Sequence, residues 1–456
     1  MRKSILEKIF SAPAEVLEKS VELEREIKRD LENEKPVREA KEYWKTLGPG
    51  LTTGAADDDP SGIATYSQMG ASRGFGLIWL SLFSFPLMGV VQEMCARIGL
   101  TTGVGLATNI KRHFSKKILY FLTILLLFAN VFNIGADLGA MAKGTQLIFP
   151  QIGFIFLVLF FAILSLGLQI FIPYKKYSKY LKYLSLVLFA YVFSAFSISI
   201  NWGDVFKHLV IPTLSFSKDE IILVCAALGT TISPYLFFWQ TSQEVEDQIL
   251  KGEKTEEQRR ALNTDEDIHK MRIDVWSGMF LSNLIMFFII ATCAATLFAN
   301  GITNIGTAAD AALALKPFAG DFAFFLFAIG IIGVGLLAIP ILAGSASYAL
   351  SETFNWKTGL YRKLKQAYSF YGVIIVAMVL GIILNFIGLD PIKTLIYSAV
   401  FNGIISPIIL FFIVKISASG EIMGDFKNKK LANIIGWFSV GLLFVVSINT
   451  IIFLLI

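Results

Sequence analysis

Three carboxylates stand side by side in Gly54-Ala-Ala-Asp-Asp-Asp-Pro-Ser-Gly62, within a segment that is otherwise apolar. Asp57, Asp58 and Asp59 supply hard oxygen donors and negative charge, the chemistry that holds a cation. Pro60 and the flanking Gly54 and Gly62 cannot continue a regular helix cheaply. Each carboxylate costs roughly 2.5–3.5 kcal/mol in hydrocarbon on insertion scales. Acidic side chains on broken backbone persist there only where they line a cavity or bind something. A second polar, proline-interrupted patch lies at Gly229-Thr-Thr-Ile-Ser-Pro-Tyr235.

The elements that must position these residues are membrane helices. The 456 residues are 55% hydrophobic, with mean hydropathy +0.64. Apolar stretches of about 20 residues recur, each long enough to span a bilayer. We count eleven: about 44–71 (segment 1), 75–99, 118–148, 152–172, 181–200, 220–243 (segment 6), 274–299, 321–350, 368–388, 392–416 and 431–456. The third contains Asn130, Asn133, Asp137 and Lys143. With the N-terminus cytoplasmic, the basic loops at 111–117, 175–182, 357–365 and 427–430 all fall inside. Those at 149–151, 300–320 and 389–391 fall outside, nearly free of Lys and Arg. The net charge of +5 reflects this loop placement and gives no reason to expect a nucleic-acid partner.

Residues 1–43 alternate Lys/Arg with Glu at helical spacing, so a solvated cytoplasmic helix is expected. Met1 to Lys45 contain no sustained apolar core of a signal peptide. Residues 201–218 read as an extracellular linker, and the charged stretch 244–272 as solvated and mobile. Cys95, Cys225 and Cys293 lie singly in apolar segments, without a disulfide or zinc pattern. His113, His208 and His269 fall in expected loops, so no imidazole relay is expected within the membrane. Glu93 and Arg97, at i and i+4, can pair with each other.

Segments 1 and 6 are five segments apart, the sign of an inverted repeat. Repeat 1 covers 44–200, repeat 2 covers 219–417, and residues 430–456 add one span. Half-helices at a break leave unpaired carbonyls with partial negative charge. Ala56 O and Thr230 O are the expected carbonyl donors. Asp59, directly before the proline, is the expected side-chain ligand. The plainer alternative is a pair of proline kinks with packing glycines; two matched breaks, one loaded with carboxylates, favour a site.

These residues resemble the natural-resistance-associated macrophage protein (NRAMP) family of divalent metal transporters over nearly the whole chain after about residue 45. Asp59-Pro-Ser-Gly62 looks like the family's Asp-Pro-Gly-Asn motif, and Thr231-Ile-Ser-Pro-Tyr235 takes the place of its Met-Pro-His motif. Ala96-Arg-Ile-Gly-Leu-Thr-Thr-Gly103, Ala136-Asp137-Leu138 and Gly388-Leu-Asp-Pro-Ile-Lys-Thr-Leu395 are similar to further signatures. The resemblance implies an all-α integral membrane protein of LeuT-type fold, with eleven transmembrane helices and helices 1 and 6 unwound at mid-membrane. It also implies a divalent cation as substrate rather than a bound cofactor.

The departures have a direction. The family's liganding asparagine becomes Gly62, its methionine Ser233 and its histidine Tyr235; the helix 3 glutamate becomes Ala140, and a helix 10 glutamine becomes Ala399. A soft thioether is lost, leaving a roomier all-oxygen site with Asp58 beside it. That suits Mg²⁺, which keeps part of its water shell, or Mn²⁺. The pattern looks like the divergent branch that includes magnesium transporters. Asp137, Tyr235 and Glu93 are the candidates for a proton path or gate. With the family histidine and glutamate gone, uncoupled or weakly coupled uptake is expected over full symport. Asp137 is expected either to carry a proton or to pair with Lys143.

We expect a monomer in the inner or plasma membrane, surrounded by lipid. The main alternative is a transporter of a small organic solute, using Thr230, Thr231, Ser233 and Gln240 with the aromatic set Tyr235, Phe237, Phe238 and Trp239. A receptor on this scaffold ranks lower. No nucleophile–base set or phosphate loop suggests an enzyme.

Overall fold

The computed structural model describes residues 43, 47–173, 176, 185–261 and 264–456. The chain divides into two units, Met1–Gly48 and Pro49–Ile456. The helix expected over 1–43 lies outside the described residues except for Tyr43. All the helices named below belong to the second unit, and among its described residues all regular structure is helical.

Segment 1 forms two half-helices, α1 (Pro49–Asp57) and α2 (Pro60–Arg73). Then come α3 (Trp79–Thr102), α4 (Leu106–His113), α5 (Lys116–Gln146), α6 (Phe154–Phe171), α7 (Phe189–Ser197) and α8 (Trp202–Val210). Segment 6 is also two half-helices, α9 (Lys218–Thr231) and α10 (Pro234–Leu250). The long helices that follow are α11 (Asp265–Thr296), α12 (Ala323–Thr353), α13 (Tyr368–Leu384), α14 (Pro391–Ala418) and α15 (Lys430–Leu455).

Eight described helical stretches are long and apolar enough to cross a membrane, with α9 and α10 taken together as Lys218–Leu250. Of the other expected spans, segments 5 and 9 are shorter apolar helices, Leu186–Ser197 and Tyr368–Leu384. Segment 1 is divided by its break. Apolar side chains such as Phe156, Ile163 and Ile448 are exposed on the outer faces, while Asp57, Asp59, Asn133 and Asp137 are buried. Apolar outside and polar inside is the arrangement that a lipid surround favours.

The half-helices form the centre. α1 and α2 pack on α11, and α2 also meets α5, α9 and α14. α10 packs on α3, α12 and α1. Close approach is built in: a Cβ at Gly54 would lie 2.3 Å from Gly278 O, and one at Gly229 2.1 Å from Ala399 O. Larger residues there would push α1 off α11 and α9 off α14.

Three expectations about connecting segments need correction. The basic stretch 111–117 is partly helical: Lys111 and Arg112 lie in the last turn of α4, and Lys111 donates to Thr353 O. The linker at 201–218 contains α8. The stretch 244–272 is docked, with α10 running to Leu250, a helix at Glu256–Ala261 and α11 starting at Asp265. Two of its buried side chains bond across the interface: Gln248 Nε2 donates to Leu100 O (3.1 Å) and Arg259 Nε to Gly103 O (2.8 Å). A charge run misleads where some of its polar side chains reach partners across a packed interface. The histidines likewise lie in helices, His113 ending α4, His208 in α8 and His269 in α11.

Candidate cation site

Asp59 sits between α1 and α2 with φ −66° and ψ 173°, and it is the N-cap of α2 with Pro60 at the first helical position. Its Oδ1 accepts from Gly62 N (2.9 Å) and Ser61 Oγ (2.6 Å). That oxygen satisfies backbone donors which a helix start leaves open. Its Oδ2 accepts from Asn133 Nδ2 of α5 (2.9 Å), with the Tyr235 hydroxyl at 3.4 Å. The same hydroxyl donates to Ala56 O at 3.1 Å. The carboxylate expected as the central ligand therefore lies where α2, α5 and α10 meet.

Asp57 and Asp58 turn to α11. The Ser282 hydroxyl reaches Asp57 Oδ2 at 2.6 Å and Asp58 Oδ1 at 3.3 Å, while Asp57 Oδ1 is buried without a partner. The three carboxylates fan out. Among the described residues, no three His, Cys, Asp or Glu side chains converge into a ready metal cluster. A cation here would need carbonyl and hydroxyl oxygens as well.

Those oxygens are present, with hydroxyls turned onto them. Ser233 Oγ donates to Gly229 O (2.7 Å) and also to Thr230 O. Ser406 Oγ of α14 donates to Ile232 O. The Thr230 hydroxyl donates to Ala227 O (2.9 Å) and meets Tyr66 OH at 3.0 Å, which links the two breaks. Ser233 thus faces back towards the end of α9. Hydrogen-bond donors from side chains satisfy the carbonyls that a helix end leaves open.

Two expectations shift in detail. The place that a side chain at Gly62 would take is not open, because a Cβ there would meet the Tyr66 ring at 3.3 Å and Asp57 O at 3.2 Å. Asp137 does not pair with Lys143: both its oxygens are buried without a hydrogen-bond partner, and Lys143 Nζ stands over the Phe154 ring.

Glu93 lies apart from the breaks. It accepts from Arg97 (3.1 Å), Arg272 (2.9 Å) and Trp276 Nε1 (2.8 Å), tying α3 to α11. On α11, Asp274 accepts from Gly50 N (2.6 Å) and Leu51 N (3.0 Å), so it caps the start of α1. Along α1 and α10, Thr53 Oγ1 donates to Gln240 Oε1 (2.6 Å), and Gln240 donates to the buried Glu244 (2.8 Å).

A family model described as natural resistance-associated macrophage protein-like matches residues 50–453. The chain belongs to that family. A relative named divalent metal cation transporter MntH, from Klebsiella pneumoniae subsp. pneumoniae, is 26% identical over 415 residues, covering 88% of this chain and 92% of its own. Among solved structures, a manganese transporter from Eremococcus coleocola superposes with TM-score 0.71 at 20% identity, covering 90% of this chain and 87% of that one. The inward-facing form of Mhp1 superposes with TM-score 0.52 at 14% identity, covering 89% of each chain. These likenesses carry the fold: the two broken helices and the helices around them are those of the LeuT-type arrangement.

Sequence reasoning assigned Asn133 no role and passed over Ser282, Ser398 and Ser406 altogether. Asn133 carried a signal. It is a polar side chain four residues before Asp137 in an apolar helix, hence on the same face. The serines carried none, since a hydroxyl in a membrane helix usually bonds back to its own helix.

Proposed function

We propose that this chain imports a divalent cation, Mg²⁺ or Mn²⁺, across a membrane by alternating access. The observation that carries the reading is the Asp59 carboxylate. It is buried at the junction of two interrupted helices, in a chain whose family match spans both breaks. The named relative, a divalent metal cation transporter, supports the cargo class. The donors around Asp59 are oxygens of carboxylate, carbonyl and hydroxyl groups. Such a set favours hard cations over thiophilic ones.

In this reading the cation replaces hydroxyl and amide hydrogens at Asp59 Oδ2, Ala56 O and Thr230 O. Ser233 and Tyr235 turn aside, and Asp57 and Asp58 add field strength from the α11 side. Gly62 leaves the start of α2 without a competing side-chain ligand. Asp137, with no positive partner, is the remaining acid that can take up charge. With Tyr235 where an imidazole would titrate near neutral pH, coupling to protons is weak or absent. Glu93 and Asp274 hold the inner ends of α3, α11 and α1 together, so opening inward breaks those bonds. The protein works as a monomer in an inner or plasma membrane, with its N-terminus in the cytoplasm. The organic-solute reading loses support because Phe237, Phe238 and Trp239 are fully buried in packing.

Calorimetric titration of the purified protein with Mg²⁺, Mn²⁺ and Ca²⁺ tests this, beside Asp59→Ala. Saturable binding lost in the variant is expected; binding unchanged by it would end the assignment. Proteoliposome uptake with an internal pH dye tests coupling. Metal-dependent acidification matching the metal flux would overturn the uncoupled reading.

A further inference from the structure

Asp59 Oδ1 is committed to the start of α2, so Oδ2 is the one oxygen of that carboxylate left for a cation. The closest group on Oδ2 is the amide nitrogen of Asn133 at 2.9 Å. An ion seated between Oδ2 and Asn133 would face the positive end of that N–H, so the present orientation of the amide opposes loading at this position. The other end of the amide is also engaged. Asn133 Oδ1 accepts from the hydroxyl of Ser398 on α14. Asn133 is 0% and Ser398 1% exposed, so neither end has bulk water as a fallback.

We propose that Asn133 is a cation-site residue whose side-chain amide turns over between the empty and loaded states. Turned by half a revolution about its last torsion, the amide presents Oδ1 where Nδ2 now stands. A hard neutral oxygen then faces the ion beside Asp59 Oδ2. Nδ2 swings to Ser398, whose hydroxyl stops donating and accepts instead, since a hydroxyl does either. Both ends of the amide keep a partner in both states, which avoids the cost of leaving either unsatisfied. Ser398 is the positioning residue: it holds the amide in plane in both orientations.

An independent observation marks this face of α5 as the one that carries unpartnered polar oxygens. One helical turn on, Asp137 is completely buried and neither of its carboxylate oxygens has a hydrogen-bond partner. A fixed structural tie between α2, α5 and α14 would also explain Asn133, but it predicts a different response to mutation. The proposal rests on Asp59 being the ion's carboxylate and adds a donor from a third helix.

The test is titration of the full-length protein in detergent with Mn²⁺ and with Mg²⁺, comparing wild type, Asn133→Leu, Asn133→Asp and Asp59→Ala, with thermal melting at each metal concentration. Asn133→Leu keeps the volume and loses the oxygen; its affinity should fall at least tenfold. Asn133→Asp supplies an oxygen while facing Asp59 with a like charge. It should melt lower than wild type without metal, bind metal at least fivefold tighter and gain more melting temperature on saturation. Asn133→Leu within twofold of wild type, or Asn133→Asp no tighter than wild type, overturns the proposal while leaving Asp59 in place. If Asn133→Leu does not fold, the near-isosteric Asn133→Asp decides alone. Metal binding by wild type that survives Asp59→Ala unchanged would sink the proposal and the site together.

Discussion

Asp59 divides its two oxygens between a structural and a functional task, and substitutions can separate them. Asparagine at this position keeps an oxygen for Gly62 N and removes the charge. Asp59→Asn should therefore fold and melt near wild type yet bind divalent cations at least 100-fold more weakly, about 2.7 kcal/mol. Asp59→Ala also removes the helix cap, worth about 1 kcal/mol, and should melt lower as well. Differential scanning fluorimetry beside calorimetry reads both quantities. The sequence pointed to Asp59 because a proline follows it, and that is also why it caps α2. At Ser233, a thioether would restore a soft donor beside the α9 carbonyls. Ser233→Met should shift competition in uptake assays towards Cd²⁺ by several fold; an unchanged preference would place Ser233 outside the ion's reach.

At the scale of elements, the breaks depend on what holds the half-helices. α1 is short and is fixed at its start by Asp274 and along its length by backbone contact at Gly54 and Gly278. Gly54→Ala puts a methyl 2.3 Å from Gly278 O, so α1 and α11 must part. Overpacking of that kind costs about 1–3 kcal/mol, and a lower melting temperature should report it. Asp274→Ala leaves the Gly50 and Leu51 amides uncapped. Hydrogen exchange in a peptide covering residues 49–57 should speed up, with no matching change in α2. Equal acceleration in both half-helices would mean that they move as one body. The eight long apolar helical stretches were legible in advance because about 20 apolar residues in a row have one stable form in lipid. The docking of 244–272 was not, because the partners of Gln248 and Arg259 are Leu100 and Gly103, about 150 residues away in sequence.

For the molecule as a whole, charge on the connecting segments clamps the ends of helices. Arg112 forks onto Glu256 with distances of 2.6 and 2.8 Å, joining α4 to the Glu256–Ala261 helix. The Arg112 guanidinium holds the Glu256 carboxyl below its ordinary range. A depressed carboxylate adds stability above its unfolded value, about 4.3, and loses it as pH falls through the folded one. The clamp is therefore complete at neutral pH and released only in strong acid. Because the pair is partly exposed, Arg112→Met should cost no more than about 1 kcal/mol at pH 7. The gap to wild type should close below the folded-state value, as melts across pH will show.

The sequence by itself determined that this chain is helical and lipid-embedded, where it is interrupted, and that an aspartate sits at the first interruption. Those properties follow from hydropathy, proline and glycine, which act within a few residues of themselves. It also carried the family, through motifs spread along the chain. Only the tertiary structure decided which oxygens face one another. It turned Asp57 and Asp58 onto Ser282, placed Tyr235 on the Ala56 carbonyl and brought Asn133 to Asp59. Each of these pairings joins residues on different helices. A hydrogen bond depends on angles and tenths of an ångström between those helices, and the packing of helix on helix sets them.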